Sequence, residues 1–325
     1  MKTVLLVLLF FLVLGALVAL LLNQPQKLLS PFVGVSEKPK ILEKYSFENL
    51  RRREYQGSEI KLEKVIKEES AYTSWLFSYL SDGKKITGMA NLPKRKGKLP
   101  VVVMLRGYVE DEVYFTGLGT RKAAGFFAEN GFITLAPDFL GFAGSSPSSL
   151  DILEARFYRP VEVLNLLASV KTLAKADPEK IFLWGHSNGG QIALSVLEIS
   201  QKPYPTTLWA PVTRGFPQSV LDYMGELDDQ GKKVKAAIEE FLKIYNPEKF
   251  SITNYFADIQ APLQVHQGMA DEYIKTGWID EFVSRMESLD KKVTYFKYPR
   301  NDHNLKQSWD LVVARDLEFF RKNLK

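Results

Sequence analysis

The chain has 325 residues, of which 46% are hydrophobic and 25% are charged. This composition supplies enough apolar side chains for a sizeable core and excludes a wholly disordered chain. The formal net charge is +5, and basic residues are interleaved with acidic ones, which is typical of a solvated surface and predicts no nucleic-acid partner. The sequence contains no cysteine, which excludes disulfides, thiolate metal sites and cysteine nucleophiles.

The amino-terminal segment, residues 1–23, is dominated by the apolar run VLLVLLFFLVLGALVALLL, which begins at Val4 and ends at Leu22. As an α-helix this run spans about 30 Å, the thickness of the hydrocarbon core of a bilayer. It is longer than the apolar region of most cleaved signal peptides, and no small-residue cleavage site follows it. The pattern predicts a single-pass transmembrane signal anchor that leaves the rest of the chain outside the cytoplasm. A cleaved signal peptide is the alternative.

The next segment, residues 24–57, shows no helical or strand periodicity. It contains Pro25, Pro31 and Pro39 and the charged cluster ENLRRRE. These features predict a linker, or an arm that lies on the domain that follows. Residues 58–325 are then predicted to form that domain.

Within residues 58–325, strand patterns come first and then alternate with helical ones. The segments KLEKVIKE, TSWLFSYL and KITGMANL predict a meander. Six further strand segments follow, namely VVVML, FITLAP, KIFLWG, TTLWAP, LQVHQG and KVTYFKY. Helical patterns lie between most of them, including a long helix predicted from Asp151 to Ala176. This order predicts a mostly parallel central sheet with helices on both faces.

One stretch, residues 212–259, breaks the alternation of strands and helices. It is rich in helix formers, as in GKKVKAAIEEFLKIY, and it is longer than the usual connection between two strands. We interpret this stretch as a helical insertion that forms a lid.

The candidate nucleophile is Ser187, in the sequence Gly185-His186-Ser187-Asn188-Gly189, which fits the pattern G-x-S-x-G. The pattern lies between a buried strand and a helix, the context that a nucleophile elbow requires. Glycines are needed on so sharp a turn because larger side chains would collide with the neighbouring strand or helix. The N–H of Asn188, at the helix amino terminus, would then bind an oxyanion. An ordinary glycine-rich loop is the alternative.

A serine hydroxyl needs a base to accept its proton, and the chain has three histidines. His303 lies in YPRNDHNL, between the last strand and the last helix, and it is the predicted base. His186 is next to the nucleophile but is expected on the opposite side of the elbow, in a packing role. His266 ends a buried strand and is expected to be a hydrogen-bonded core residue.

A carboxylate is needed to orient the imidazole and to stabilise its cation. Asp271, in HQGMADEY after the penultimate strand, is the predicted acid, in preference to Glu272. Asp302 lies beside His303 and is expected to cap its own loop. No metal or other cofactor is expected, because the remaining histidines and carboxylates lack ligand spacing.

These segments, taken in order, resemble the catalytic domain of α/β-hydrolases, in particular the prolyl-oligopeptidase and dienelactone-hydrolase-like branch. The matching segments are SDGKKITGMANLP, LPVVVMLRGY, GFITLAPDFLGFAGS, DPEKIFLWGHSNGG, APLQVHQGMADEYI and YPRNDHNL. The resemblance implies an α/β-hydrolase fold and a triad of Ser187, Asp271 and His303, in the chain order that this fold uses. It also implies that Tyr108 supplies the second oxyanion donor, through its N–H or its hydroxyl.

Two departures from the family limit what the resemblance implies. Arg106 precedes Gly107 where family members commonly have histidine, and it is expected either to pair with a carboxylate or to contact substrate. Residues 23–105 are too few to form the β-propeller of the large prolyl peptidases. We therefore expect a membrane-anchored serine hydrolase that acts on a small ester or peptide substrate, with peptides favoured over the esters of a carboxylesterase or lipase. A non-catalytic binding module with the same fold is the alternative of another class.

Overall fold

A nine-stranded sheet forms the centre of the molecule. The computed structural model describes residues 40–224, 229 and 231–324. The strands are β1 (Lys61–Glu68), β2 (Tyr72–Ser81), β3 (Lys84–Pro93), β4 (Leu99–Leu105), β5 (Ile133–Pro137), β6 (Ala176–His186), β7 (Thr206–Trp209), β8 (Leu263–Gly268) and β9 (Val293–Tyr298). They lie side by side in the order β1-β2-β3-β5-β4-β6-β7-β8-β9. Each of them coincides with a strand segment predicted from the sequence.

The sheet is antiparallel at one edge and parallel over the rest. β1, β2 and β3 form an antiparallel meander, and β3 pairs antiparallel with β5. From β5 across to β9, every pair of neighbouring strands is parallel. Parallel strands need a crossover connection, which is usually helical. The predicted α/β architecture with a mostly parallel sheet is confirmed.

Helices cover both faces of the sheet, as predicted. The described α-helices are α1 (Phe47–Arg52), α2 (Arg121–Glu129), α3 (Ile152–Ser169), α4 (Asn188–Ser200), α5 (Gln218–Leu221), α6 (Lys232–Ile244), α7 (Thr276–Ser288) and α8 (Trp309–Lys322). Val101 and Val103 of β4 belong to a core shared with α3, α4 and α7, whereas Val102 and Met104 belong to a core shared with α2 and α8. All four side chains are fully buried, which explains why β4 shows no polar alternation.

Helix α3 begins at a capped residue and ends earlier than predicted. The Asp151 carboxylate accepts the N–H groups of Leu153 and Glu154, at 2.9 and 3.0 Å, which is the arrangement of an N-cap. The sequence predicts helix as far as Ala176, but the α-helix ends at Ser169 and a short 3-10 turn follows. The helix is shorter because the chain must turn back to begin β6 at Ala176.

The second half of the predicted arm is an integral part of the domain. A 3-10 turn precedes α1, and Leu42, Phe47 and Leu50 are buried in the same core as α3. The compact unit begins at Lys40, whereas the predicted boundary lies at residue 58. The apolar side chains explain the difference, since a free linker would expose them to water.

The predicted signal anchor, residues 1–23, and residues 24–39 of the predicted arm lie outside the described residues. Among the helices that the structure describes, none is both long enough and apolar enough to cross a bilayer. The anchor therefore stays a prediction from the apolar run of the sequence.

The stretch between β7 and β8 is largely helical where it is described. It contains α5 and α6, followed by three short 3-10 turns. Phe216, Phe241 and Phe250 from this stretch, hereafter the lid, pack against Phe157 of α3 with ring centroids 5.1, 5.6 and 4.9 Å apart. Aromatic packing therefore joins the lid to the body of the domain.

Candidate active site

The candidate nucleophile lies on a strained turn between β6 and α4. The backbone of Ser187 has φ 54° and ψ −121°, a sparsely populated conformation that costs on the order of 1–3 kcal/mol. The turn is held because the Ser187 N–H donates to the carbonyl of Trp209 at 2.9 Å, and its carbonyl accepts the N–H of Val212 at 3.0 Å. The Ser187 side chain does not cap α4, so the helix terminus does not engage its hydroxyl.

Close backbone approaches explain the glycines around this turn. A Cβ at Gly189 would lie 1.9 Å from the carbonyl oxygen of Leu105, and a Cβ at Gly185 would lie 2.7 Å from that of Gly189. On the loop after β4, a Cβ at Gly107 would lie 3.1 Å from the Cβ of Ser187. The glycines of the G-x-S-x-G pattern are therefore required sterically, and the loop after β4 lies against the nucleophile.

The structure brings together the two residues predicted to activate the serine. Asp271 follows β8 and His303 follows β9, and these strands are parallel neighbours. The Oδ2 of Asp271 lies 2.8 Å from the Nδ1 of His303 and 3.1 Å from the Nε2 of Gln267. Its Oδ1 accepts the N–H groups of Tyr273 and Ile274, each at 2.9 Å. The carboxylate is therefore fixed in position by its own loop.

The Asp271 carboxylate is held in its charged form. Its side chain is fully buried, and burial alone would raise its pKa. The hydrogen bond and charge of His303, together with the backbone N–H groups, outweigh burial and hold the pKa of Asp271 below its ordinary value. The charged carboxylate selects the imidazole tautomer with the proton on Nδ1, which leaves Nε2 to act as the base.

His186 connects the elbow to the loop of His303. The Nε2 of His186 lies 3.1 Å from the backbone carbonyl oxygen of His303, and the two ring centroids are 4.7 Å apart. Burial, and next the charge of His303, lower the pKa of His186 to about 4, so its ring is neutral at pH 7 and Nε2 donates to the carbonyl. These contacts agree with the expected packing role of His186, but its ring lies towards the loop of the predicted base and not on the opposite side of the elbow. The residue packs against the loop of the predicted base and helps to position it.

The other candidates from the sequence are engaged in local structure. His266 is fully buried between the hydroxyl of Tyr298 at 2.7 Å and the carboxylate of Asp316 at 2.9 Å, as expected for a core histidine. Asp302 accepts two backbone N–H groups of its own loop at 3.1 Å, and Glu272 is exposed. Across the described residues, histidines and carboxylates form no group of three that could hold a metal ion.

Both residues predicted to bind the oxyanion lie beside the elbow. Asn188 is the first residue of α4, so its N–H has no carbonyl one turn earlier in the helix to bind. Tyr108 follows Gly107 on the loop that approaches Ser187, and it is 60% exposed. The two candidate donors therefore belong to segments that approach each other at Ser187, the amino terminus of α4 and the loop after β4.

Arg106, which departs from the family pattern, has a structural role. It is 2% exposed, and its guanidinium lies 4.3 and 4.1 Å from the ring centroids of Tyr114 and Phe142. It donates to the backbone carbonyls of Gly107 at 2.9 Å and Asp138 at 3.2 Å. These contacts fix the loop that carries Gly107. The hydrogen bonds of Arg106 could not be assigned from the sequence, because their acceptors are backbone oxygens, which every residue has.

A pocket adjoins the elbow on the side of α3. Its cavity volume is about 50 Å³, well below the roughly 300–1,000 Å³ that is usual for small-molecule sites. Asn188 and Gln191 of α4, Arg156 and Arg159 of α3, and Phe216 of the lid all line it. The two arginines were not singled out from the sequence, because a helix surface commonly carries arginines and the spacing alone does not show what they face.

Glu162 of α3 is a buried carboxyl group that gives the protein a testable pH dependence. It is 1% exposed and accepts the N–H of Leu140 at 3.0 Å. Burial raises the pKa of Glu162 to about 8, whereas an unfolded glutamate has a pKa of about 4.3. At pH values between these two pKa values, the folded state binds more protons than the unfolded state. Stability is therefore expected to fall as the pH rises from about 4.5 to 8, by at most about 1.4 kcal/mol per pH unit.

Glu162→Gln keeps an oxygen that can accept the N–H of Leu140 but removes the titration. We expect this variant to be more stable than the wild type at pH 8 and the difference to shrink towards pH 5. Urea unfolding at pH 5, 6.5 and 8 measures the effect, with the exposed Glu281→Gln as the control. A difference that is the same at all three pH values would contradict the assignment.

The comparisons with known proteins agree with the architecture. A family model described as chlorophyllase matches residues 81–204, which is under half of the chain. A search of curated proteins gives no significant match. Among solved structures, acetyl xylan esterase 1 from Thermoanaerobacterium superposes with a TM-score of 0.62 at 15% identity, covering 86% of this chain and 94% of the esterase.

Two further solved structures that superpose on this chain belong to proteins with other activities. The acylaminoacyl peptidase of Pyrococcus horikoshii has a TM-score of 0.60 at 17% identity, over 79% of this chain and 42% of the peptidase, so the chain matches under half of that protein. A dienelactone hydrolase-like promiscuous phosphotriesterase from metagenomic libraries has a TM-score of 0.52 at 12% identity, over 77% of this chain and 99% of that one. At these identities the likeness establishes the fold. The chain therefore has the α/β-hydrolase fold.

Proposed function

We propose that this protein is a serine hydrolase that cleaves carboxylic esters or amides through a covalent acyl-enzyme. One observation carries the proposal. The Asp271–His303 pair, joined at 2.8 Å, is linked to the strained turn of Ser187 by the contact of His186, the preceding residue, with the carbonyl of His303. A nucleophile, a base and an orienting acid are the parts that acyl transfer by serine requires.

In the proposed reaction, Ser187 Oγ attacks the substrate carbonyl while Nε2 of His303 accepts the hydroxyl proton. Asp271 stabilises the imidazolium that forms. The carbonyl oxygen becomes an oxyanion, which the N–H groups of Asn188 and Tyr108 bind. We favour the N–H of Tyr108 over its hydroxyl, because an oxyanion donor must be held in place and this side chain is 60% exposed.

The tetrahedral intermediate then collapses and expels the leaving group, which takes the proton from His303. The acyl group stays on Ser187 as an ester. Water attacks this ester, with His303 accepting one proton from the water and returning it to the serine oxygen. The products are a carboxylic acid and an alcohol or an amine, and the enzyme is regenerated without a metal or a cofactor.

The cleaved bond is either an ester or an amide, and each choice is favoured by some of the similar proteins. The acetyl xylan esterases among the similar structures favour an ester. The acylaminoacyl peptidase and a puromycin-hydrolysing peptidase from Mycobacterium tuberculosis favour an amide, as does the resemblance in sequence to prolyl oligopeptidases. Matched short-chain esters and aminoacyl amides, assayed side by side on the purified chain, would separate the two.

We also propose that residues 1–23 anchor the enzyme in a membrane, with the active site outside the cytoplasm. The support is the apolar run from Val4 to Leu22. Extraction of the full chain by carbonate at high pH tests this, since an integral membrane protein stays in the pellet. Release of the full chain into the supernatant would count against an anchor.

A fluorophosphonate probe tests the proposed function directly. We expect the folded chain to be labelled covalently at Ser187, because the probe reacts with a serine that a neighbouring base activates. Intact-mass analysis measures the label, with Ser187→Ala as the negative variant. Ser288→Ala, which removes an exposed hydroxyl on α7, is the matched control and should label normally. An unlabelled wild type would support the non-catalytic binding module instead, and labelling that survives Ser187→Ala would place the nucleophile elsewhere.

A further inference from the structure

A second, larger pocket lies on the face of the sheet that α2 and α8 cover. Its cavity volume is about 770 Å³, within the roughly 300–1,000 Å³ that is usual for small-molecule sites. None of the candidate triad residues is among the described residues that line it. His186 and Asn304 do line it, and each of these is the chain neighbour of a triad residue. The pocket is therefore distinct from the candidate triad and borders it.

Tryptophan and phenylalanine side chains line this pocket. Trp184 of β6 and Trp209 of β7 have ring centroids 5.2 Å apart, and Trp309 begins α8. Phe115, on the loop after β4, also lines the pocket and is 48% exposed. Aromatic rings of this kind bind a planar apolar molecule by burying its faces and edges. The walls therefore favour a ligand with an aromatic body.

One polar group in the wall has no partner. The indole N–H of Trp184 makes no hydrogen bond within the described part of the chain, although the residue is only 2% exposed. The neighbouring Trp209, by contrast, donates its indole N–H to the carboxylate of Asp316 at 2.7 Å. A buried donor without an acceptor is costly. A ligand with an acceptor atom, bound in the pocket that Trp184 lines, is a candidate partner for this group.

The charged side chains that line this pocket are all cationic, namely Arg121, Lys122 and Lys306. Lys306 is paired with a carboxylate of its own loop at 3.3 Å. Among the described residues, Arg121 and Lys122 form no ion pair. The Arg121 guanidinium donates to the carbonyl of Thr116 at 3.2 Å, and the Nζ of Lys122 lies 3.5 Å from the ring centroid of Trp309. These contacts position both charges without neutralising them.

Arg121 and Lys122 also occupy the first turn of α2. That turn contains no acidic residue, and the Thr120 side chain does not cap it. The Thr120 hydroxyl instead donates to the carbonyl of Gly117 at 3.1 Å. The first N–H groups of a helix lack intrahelical acceptors, and the helix dipole adds positive potential at this end. The two cations add to that potential, so an anion is favoured at this corner of the pocket.

We propose that this pocket binds a small aromatic carboxylate. The carboxylate lies at the amino terminus of α2, beside Arg121 and Lys122, and the aromatic body packs against the tryptophans. The rings select a planar body, and the helix terminus with its two cations selects a negative end. This inference goes beyond the proposed function, because the candidate triad takes no part in the binding.

The test compares 2-naphthoate with 2-naphthamide, which have nearly the same shape and differ in charge. Calorimetric titration of the purified full chain at neutral pH and low salt measures both dissociation constants, after subtraction of a titration of the detergent alone. We expect naphthoate to bind about 10-fold more tightly than the amide, as charge interactions at a helix terminus would provide. Arg121→Gln combined with Lys122→Gln should reduce this ratio to near one. Phe115→Ala should weaken the binding of both probes and leave the ratio unchanged.

The control for net charge is Lys232→Gln combined with Lys233→Gln, which removes two exposed lysines from the first turn of α6 and should keep the wild-type ratio. Urea unfolding checks that each variant is folded. The site is refuted if the wild type binds the amide as tightly as naphthoate, or if neither probe binds at up to about 10 mM. It is also refuted if the double variant of α2 keeps the wild-type ratio, or if Phe115→Ala binds both probes as the wild type does. A protein that binds naphthoate but is not labelled by the fluorophosphonate would keep this site and lose the proposed function.

Discussion

Replacing Ser187 with alanine is expected to lower kcat on any ester or amide substrate by about 10⁴-fold or more, with little change in stability. Removal of the nucleophile abolishes the covalent route, and only binding and the oxyanion hole then contribute to the rate. The fold should persist because alanine meets the same backbone strain at φ 54° that serine meets. Initial rates with a 4-nitrophenyl ester measure the effect, and urea unfolding reports the stability.

The control for this variant is again Ser288→Ala, which should keep kcat within a factor of about two, since surface substitutions have small effects. Trace contamination by other hydrolases limits how low a rate such assays can measure. The active sites responsible for the residual rate should therefore be titrated with the fluorophosphonate. A residual rate that exceeds about a tenth of the wild-type value and comes from the variant itself would rule out Ser187 as the nucleophile.

Replacing Asp271 with asparagine is expected to lower kcat by about 10³- to 10⁴-fold while leaving KM nearly unchanged. An asparagine amide can still accept the N–H groups of Tyr273 and Ile274, so the loop should keep its shape. Its NH₂ group would then face Nδ1 of His303, and this arrangement favours the tautomer with the proton on Nε2. That tautomer cannot accept the proton of Ser187, and no charge stabilises the imidazolium.

Asp302→Asn is the matched control, because Asp302 precedes His303 and its carboxylate caps the same loop. It should retain kcat within a few-fold and lose some stability, on the order of 1 kcal/mol, through the weakened cap. Rates for both variants should be measured from pH 6 to 9. If Asp302→Asn lost more activity than Asp271→Asn, the acid of the triad would be Asp302.

The strand segments, the parallel class of the sheet and the candidate triad could be predicted from the sequence because their signals are local. A fully buried parallel strand such as β4 must be apolar on both faces, so it appears as an unbroken aliphatic run. The elbow around Ser187 needs glycines at fixed offsets, because a Cβ at Gly189 would lie 1.9 Å from a backbone oxygen. Asp271 and His303 could be paired because the carboxyl ends of neighbouring parallel strands meet at one edge of the sheet.

The contacts that could not be predicted join residues far apart in the chain or use the backbone as a partner. The bond from His186 to the carbonyl of His303 crosses from β6 to the loop after β9. The Arg106 guanidinium binds two carbonyl oxygens, which are present at every position and leave no pattern in the sequence. The sequence left open whether Leu42 and Phe47 dock on the domain or belong to a free linker, because those residues have no periodicity of their own.

The sequence by itself therefore determined the class of sheet, the candidate elbow around Ser187 and the chain order of the candidate serine, acid and histidine, since each follows from steric or burial rules that act on neighbouring residues. The tertiary structure alone decided which charged groups line the pocket beside α4. Arg156 and Arg159 have the spacing of any helix surface, and only the packing of α3 against α4 and the lid turns them towards the pocket. Burial then sets their electrostatic effect, because the surrounding protein removes the water that would screen an exposed pair.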